Sequence, residues 1–226
     1  MSVPPIIRPL GESAVVVEFG NVISDDLNDR AIALTEALTS NPFSGFIEAC
    51  PSYCSTTVFY DLITVRRSFT EYPTAFSAVE SFVKNAALNL AIRRSENQPI
   101  FDVPVDFSSR HGLDLESVAV SCGLSVSDVI EIFTSPVYRV YMVGFLPGFA
   151  YMGEVDERIR LPRRPQPRVK VPKGSVAIAG SQTGVYPLET PGGWHILGHT
   201  ETEFFLPEQD PPSLLKPGDR VRFIAI

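Results

Sequence analysis

The chain has 226 residues, of which 44% are hydrophobic and 20% charged, and its formal net charge is −7. A chain of this length can bury a sizeable core without disulfides or metals, as one large domain or two small ones. The acidic balance argues against nucleic acid, which needs a basic face, and against an anionic membrane surface. No segment reaches the roughly 18 apolar residues of a membrane span, and the N-terminus lacks a signal-peptide pattern. These features predict a cytoplasmic protein.

The cysteines are few: Cys50, Cys54 and Cys122. An odd and sparse set suits a reducing compartment and predicts free thiols. The spacing of Cys50 and Cys54 supplies at most half of a metal site, so we expect no metal here. We expect all three side chains to act as small buried hydrophobic groups.

The first half alternates strand and helix signals. Hydrophobic periodicity, turn residues and the candidate N-cap Ser24 predict these elements in order: a strand at 14–19, a helix from Ser24 to Asn41, strands at 45–49 and 56–60, and a helix at 76–90. This order begins a ferredoxin-like α+β sandwich, with a closing strand from 91–93 or from 100–105. The polar stretch 93–99 predicts a linker between a domain at 1–97 and a second at 98–226.

The second half has a different composition. A pair of short helices at 113–122 and 127–133 precedes short apolar runs that Gly and Pro interrupt. These runs predict strands at 140–145, 175–179, 185–188, 195–197, 203–205 and 221–226. Many short strands with frequent turn residues are typical of a β-barrel or sandwich.

Two glycine-rich loops are candidate ligand sites. The loop from Gly144 to Phe149 includes Phe145, Pro147 and Gly148, and it predicts either a substrate-facing turn or a tight barrel corner. The second loop, 179–184, carries Gln182 and Thr183, whose polar groups suit an amide or a carboxylate. Neither loop is a phosphate-binding P-loop, because no Gly-Lys-Ser/Thr follows the glycines.

The only tryptophan, Trp194, lies on a glycine turn next to His195. Trp194 can wall a pocket and His195 can bind or transfer a proton, but the same pair can equally fill the end of a barrel. His195 and His199 have a spacing that suits zinc on a helix. The neighbouring glycines predict strand and turn instead, so we expect no metal.

Basic residues cluster in one segment, which we call the basic arm and define as residues 158–173. The arm holds seven of the 19 basic residues and four prolines that stiffen it. The arm is either an anion or partner site or a solvated surface segment. Arg168 is the residue we expect to bind a carboxylate. The sequence shows no Gly-x-Ser-x-Gly elbow and no paired-carboxylate motif, which favours a non-autonomous polypeptide that needs a partner.

Several of these motifs together resemble the allophanate hydrolase subunit 1 family, most closely the branch that holds the B subunits of 5-oxoprolinases. The resemblance runs from about Gly11 to the C-terminus and is weaker in the N-terminal half. Its specific motifs lie at 138–153, 162–164, 167–168, 171–172, 174–180, 182–184, 186–187 and 191–194. Asp106 stands where members usually carry a cysteine, so no role of that thiol is carried over.

The resemblance implies a cyclophilin-like second domain and a polypeptide that acts only within a complex. In the 5-oxoprolinase branch, the B subunit joins a homologous C subunit, of the allophanate hydrolase subunit 2 type, and an A subunit. The complex opens 5-oxo-L-proline to L-glutamate with ATP cleavage. The family also includes an inhibitor of a sensor histidine kinase and a urea amidolyase domain, and both remain alternatives. The predicted substrate site combines Phe145, Pro147, Gly148, Phe149, Arg168, Gln182, Thr183, Tyr186 and Trp194, with His195 as the candidate catalytic residue.

Overall fold

The computed structural model describes residues 4–92 and 99–226. The chain divides into two compact units, Met1–Glu96 and Asn97–Ile226. The predicted domain boundary near residue 97 lies outside the described residues, as does the predicted linker up to residue 98.

The first unit has one antiparallel sheet and three helices. Its elements are β1 (Ile6–Pro9), β2 (Ala14–Glu18), α1 (Asp25–Ser40), β3 (Phe46–Ser52), β4 (Ser55–Tyr60), α2 (Leu62–Ser68) and α3 (Ala75–Leu88). The strand order is β1-β2-β4-β3. The inward faces of β2 and β4 pack against the apolar sides of α1 and α3, where Leu34, Val79 and Val83 are fully buried. The apolar residues that recur with a period of 2 in the strands and 3.6 in the helices therefore pack together in one core.

The fourth strand of this sheet is not the one that the sequence predicts. The predicted closing strand at 100–105 belongs to the second unit, and residues 91 and 92 lie outside any strand. The edge is occupied instead by β1, which forms a hairpin with β2 and pairs Ile6 with Glu18. The prolines around β1 weaken its strand signal in the sequence. Pro9 is tolerated in the strand because β1 lies at the edge of the sheet. The predicted ferredoxin-like arrangement of this unit is therefore not confirmed.

The second unit is a nearly closed β-barrel with helices. Its elements are β5 (Ile100–Val105), α4 (Leu115–Cys122), α5 (Val126–Thr134), β6 (Tyr138–Val143), β7 (Ala150–Gly153), a 3₁₀ turn (Glu157–Ile159), β8 (Arg168–Val171), β9 (Ser175–Ala179), β10 (Gln182–Val185), β11 (Thr190–Gly192), β12 (His195–His199) and β13 (Arg220–Ala225). Seven strands form a sheet in the order β12-β9-β10-β7-β6-β13-β5. Strands β8 and β11 form a separate pair.

The two ends of the seven-stranded sheet meet after β5. Asp106 forms an antiparallel bridge with His199 at the end of β12, with N–O distances of 2.8 and 3.0 Å. The Asp106 carboxylate also accepts a hydrogen bond from Ser108 N–H at 2.8 Å. Asp106 thus takes part in closing the barrel. The mixed α/β fold with a nearly closed barrel is what the sequence predicts at the level of fold class.

The helices α4 and α5 pack on this barrel through Leu115, Val118 and Phe133, which join its core. Within the described residues, no single helix is long and apolar enough to cross a membrane. Only α4 and α5 taken together pass that test, and a 96° bend separates them.

Two further expectations are wrong in detail. The predicted strand at 185–188 is shifted, since β10 ends at Val185, and residues 203–205 contribute only an isolated bridge at Phe205. Cys50 is exposed rather than buried. It pairs with Thr57 across β3 and β4, and alternate residues of a strand point to opposite faces, so Cys50 lies on the solvent side.

Candidate functional site

The second unit contains a cavity of about 270 Å³ walled by five aromatic rings, which we call the aromatic cavity. The rings belong to Phe145, Phe149, Tyr151, Tyr186 and Trp194. The rest of the lining is Arg163, Pro167, Pro191, Gly192 and Gly193. Among the described residues, the lining therefore combines apolar surface with one cationic side chain and no acidic one.

Phe149 is the centre of the aromatic cluster. It lies just before β7, is 1% exposed, and its ring centroid is 4.8 Å from that of Tyr151, 5.3 Å from Tyr186 and 5.5 Å from Trp194. All three contacts are edge-on, the geometry that the quadrupoles of aromatic rings favour. The cavity wall is therefore preorganised by packing.

Phe145 differs from the other rings because it is 64% exposed and its backbone has φ of 69°. A bulky residue in this left-handed region is unusual and costs about 1–2 kcal/mol. Its ring contacts Phe149 edge-on at 5.8 Å. A strained, exposed aromatic side chain at the edge of a cavity is a feature typical of ligand-contacting loops.

The glycine at the end of β11, Gly192, packs closely against Tyr186. A Cβ added at Gly192 would lie 2.4 Å from the Tyr186 hydroxyl oxygen, so only glycine fits there. Burial raises the pKa of Tyr186, and the positive charge of Arg163 opposes the rise. The same two effects act on the pKa of Tyr151. The backbone N–H of Trp194 also acts to lower the pKa of the Tyr186 hydroxyl.

The basic arm is attached to the segment that carries Trp194. Arg164 N–H donates to the carbonyl of Gly193 at 2.8 Å, and β8 pairs with β11 through Gly192 and Arg168. His195 adds a third connection: its Nε2 lies 2.9 Å from the carbonyl oxygen of Pro162, so Nε2–H is the donor. Its buried Nδ1 has no partner among the described residues.

Asp114 is the internal counter-ion of the arm. It is 2% exposed and immediately precedes α4. Arg168 donates to both of its carboxylate oxygens, at 2.7 and 2.8 Å, Arg164 also donates to it, and Ile196 N–H donates at 2.7 Å. Burial acts to raise the pKa of Asp114, but these hydrogen bonds and the two positive charges outweigh it and lower the pKa.

The structure therefore places the predicted site residues in two groups. Phe145, Phe149, Tyr186 and Trp194 line the aromatic cavity. The others do not line it: Pro147, Gly148, Arg168, Gln182, Thr183 and His195.

Each of these other residues has a different environment. Thr183 is fully buried and donates to the Ala177 carbonyl at 3.0 Å, and Gln182 lies on β10 opposite Gly153 and Ala179. Arg168 is paired with Asp114 at 2.7 Å, so its guanidinium is occupied within the protein.

Three residues of this region are absent from the predicted site: Tyr151, Arg163 and Asp114. Tyr151 follows the predicted loop by two residues, and strand alternation puts it on the same face as Phe149. Arg163 is in the basic arm, but no sequence signal separates it from the other six cations. The sequence marks Asp114 only as a possible N-cap residue before a helix, which does not indicate a functional role.

Comparison with known proteins identifies the family. The family model of the carboxyltransferase domain, subdomain C and D, matches residues 5–215. The chain belongs to this family.

Two relatives match along nearly the whole chain. The B subunit of the 5-oxoprolinase of Bacillus subtilis is 41% identical over 227 residues, covering 100% of this chain and 95% of the relative. The B subunit of the Escherichia coli O157:H7 5-oxoprolinase is 39% identical over 215 residues, covering 95% and 93%. The resemblance inferred from the sequence motifs is therefore confirmed.

A solved relative has the same fold. The crystal structure of TTHA0988 superposes with a TM-score of 0.80 at 37% identity and covers 98% of this chain. This chain spans only 40% of that longer one.

Proposed function

We propose that this chain is the B subunit of an ATP-dependent 5-oxoprolinase, a complex that hydrolyses 5-oxo-L-proline to L-glutamate with ATP cleavage. The observation that carries the proposal is the match along nearly the whole chain to two B subunits, at 39% and 41% identity. The nearly closed barrel supports a cyclophilin-like assignment for the second unit. The complex works in the cytoplasm.

The chain needs partners for this reaction. Among the described residues, the aromatic cavity is lined by no Ser, Cys, His, Asp or Glu, so its walls offer neither a nucleophile nor a carboxylate or imidazole base. The partners are a homologous C subunit, of the allophanate hydrolase subunit 2 type, and an A subunit. The much longer chain of TTHA0988 supports a further domain beside this one.

The site of ATP use lies outside this cavity. The cavity of about 270 Å³ is too small for a nucleotide, since pockets for drug-sized ligands hold about 300–1,000 Å³. The sequence also lacks a phosphate-binding P-loop. We therefore place ATP use outside the aromatic cavity.

The test is reconstitution. The purified chain, the chain with the C subunit, and the chain with the A and C subunits are each supplied with ATP and 5-oxoproline. We expect coupled release of ADP and glutamate only from the complete set, because the cavity of this chain lacks the groups for chemistry. Glutamate and ADP are measured in the same samples.

The outcomes separate the two parts of the proposal. Glutamate formed by the chain alone would disprove the need for partners. Absence of glutamate from every combination, with all subunits folded and associated, would disprove the 5-oxoprolinase function itself. Omitting ATP from the complete set is the control for a background reaction.

A further inference from the structure

The charges of the basic arm are almost completely neutralised within the protein, with one exception. Arg158 pairs with Asp156 at 2.8 Å, Arg160 with Glu154 at 3.2 Å, Lys170 with Glu189 at 2.8 Å and Lys173 with Glu203 at 2.7 Å. Arg164 and Arg168 share Asp114. Arg163 has no ion pair with any described residue, and it is the one cation that lines the aromatic cavity.

The contacts of Asp114 explain why its two arginines cannot serve a ligand. The carboxylate oxygens of Asp114 already receive Arg168, Arg164 and the N–H of Ile196. Turning Arg168 toward a ligand would leave a buried carboxylate partly unsatisfied, which is strongly unfavourable. These contacts instead hold the arm on the C-terminal side of Arg163, and the hydrogen bond of His195 to the Pro162 carbonyl holds it on the N-terminal side. Asp114 is therefore a positioning residue for Arg163.

The other residues that line the cavity indicate the size and the apolar character of the ligand. Phe149 and Trp194 are almost fully buried and line the cavity with aromatic side chains, while Pro167 and Pro191 add rigid apolar surface. A volume of about 270 Å³ holds a small metabolite. An unpaired guanidinium beside apolar rings favours a small acid with one carboxylate and a compact apolar ring.

We propose that the aromatic cavity binds a small cyclic carboxylic acid, with Arg163 as the residue that takes the carboxylate. The aromatic rings cover the apolar edge of the ligand and exclude water. Identification of the acid as 5-oxoproline rests on the proposed function. The binding site itself rests on the unpaired Arg163, the strained Phe145 and the volume and aromatic lining of the cavity.

The single tryptophan of the chain makes this site directly observable. Trp194 lies in the cavity wall, so its fluorescence reports occupancy without any catalytic activity. The full chain is titrated with 5-oxoproline, with its neutral amide, and with proline and cyclopentanecarboxylate. We expect a saturable change with 5-oxoproline and at least about tenfold weaker binding of the amide, which lacks the negative charge.

The decisive variants are Arg163→Gln and Arg158→Gln. Both remove one positive charge from the arm, but Arg158 lies outside the cavity and is exposed. Arg163→Gln should weaken binding of 5-oxoproline roughly 10- to 150-fold and leave binding of the neutral amide unchanged. Arg158→Gln should leave both unchanged. Equal binding of carboxylates by the two variants, with unchanged melting, would overturn the assignment of Arg163.

A failure of this inference can be told apart from a failure of the proposed function. Arg163-dependent binding of cyclopentanecarboxylate but not of 5-oxoproline would support the cavity as a carboxylate site and contradict the 5-oxoprolinase role. Glutamate formation by the assembled complex with the same KM for Arg163→Gln and the unaltered chain would support the role and contradict the site. A lack of saturable change with every acid would also contradict the site.

Discussion

At the scale of single residues, the buried side chain of Asp114 links several segments that are far apart in the sequence. One buried carboxylate joins the start of α4, two positions of the basic arm and the first buried residue of β12. Buried ion pairs are not always stabilising as a whole, but the removal of one partner is costly because the other charge stays behind. Asp114 therefore connects the folding of the second unit to the geometry of the cavity.

We predict that Asp114→Asn lowers the free energy of unfolding by about 3 kcal/mol at pH 7, the lower part of the range for breaking a buried pair. The lower part applies because the side chains of Arg164 and Arg168 remain 29% and 22% exposed. Urea unfolding of the purified chain measures the change. Asp102→Asn is the matched control, since Asp102 pairs with Arg222 on the surface and should contribute far less.

The effect of Asp114 should also depend on pH. Its pKa is lower in the folded protein than in the unfolded chain, so its contribution is complete above the unfolded value of about 3.9. That contribution is lost as the pH falls through the lower, folded value. The difference between Asp114→Asn and the unaltered chain should therefore be constant from about pH 7 to 5 and shrink below about pH 4. A difference that grows on acidification would contradict the lowered pKa.

At the scale of elements, the loop between β6 and β7 is a constrained turn rather than a flexible one. Gly148 has φ of 79°, and a Cβ there would lie 2.7 Å from the carbonyl oxygen of Phe204. Phe149 N–H donates to the Leu146 carbonyl at 3.0 Å, and the Gly144 N–H donates to the Phe149 carbonyl at 3.0 Å. The loop thus holds Phe149 in the cavity wall by backbone hydrogen bonds and close packing.

We predict that Gly148→Ala destabilises the second unit more than Gly180→Ala does. Both glycines have left-handed φ, which costs an alanine about 1–2 kcal/mol, but a Cβ at Gly180 meets no described atom within 4 Å. The contact with Phe204 should add about 1–3 kcal/mol for Gly148→Ala. Urea unfolding of both variants measures the difference. Equal losses would mean that the loop moves away from Phe204 at little cost.

At the scale of the whole molecule, we predict three free thiols. Cys50, Cys54 and Cys122 are all unpaired, and the Cys54 thiol donates to the Gly20 carbonyl at 3.1 Å. Titration of the unfolded, unreduced chain with a thiol reagent should count three, and Cys50→Ser should reduce the count to two. A count of one for the unaltered chain would reveal a disulfide.

The rate at which the thiol reagent reacts with the folded protein is a second measurement on the same cysteines. Partial desolvation of its sulfur and the negative charge of Glu48 raise the pKa of the exposed Cys50, so its reaction should accelerate as the pH rises above neutral. Cys50→Ser should remove that component of the reaction.

The sequence by itself predicts most of the local order of this protein. The helices at α1, α3, α4 and α5 and the strands at β2, β4, β9 and β13 appear within a few residues of their final bounds, because their signals are periodicities and caps that act over one or two turns. The family motifs also identify the relatives, and four aromatic residues of the cavity belong to the predicted site.

Only the tertiary structure decides which cation faces the cavity and how the barrel closes. Arg168 meets Asp114 across 54 positions of the chain, and Asp114 meets Ile196 across 82. Strands β5 and β13 pair although Asp102 and Arg222, which face each other there, are 120 positions apart. Periodicity reports which face of an element is apolar, but it carries no information about the partner that covers that face. The sequence favours Arg168 over Arg163 as a ligand residue, and the fold reverses this order because a single buried carboxylate binds Arg168 and leaves Arg163 at the cavity.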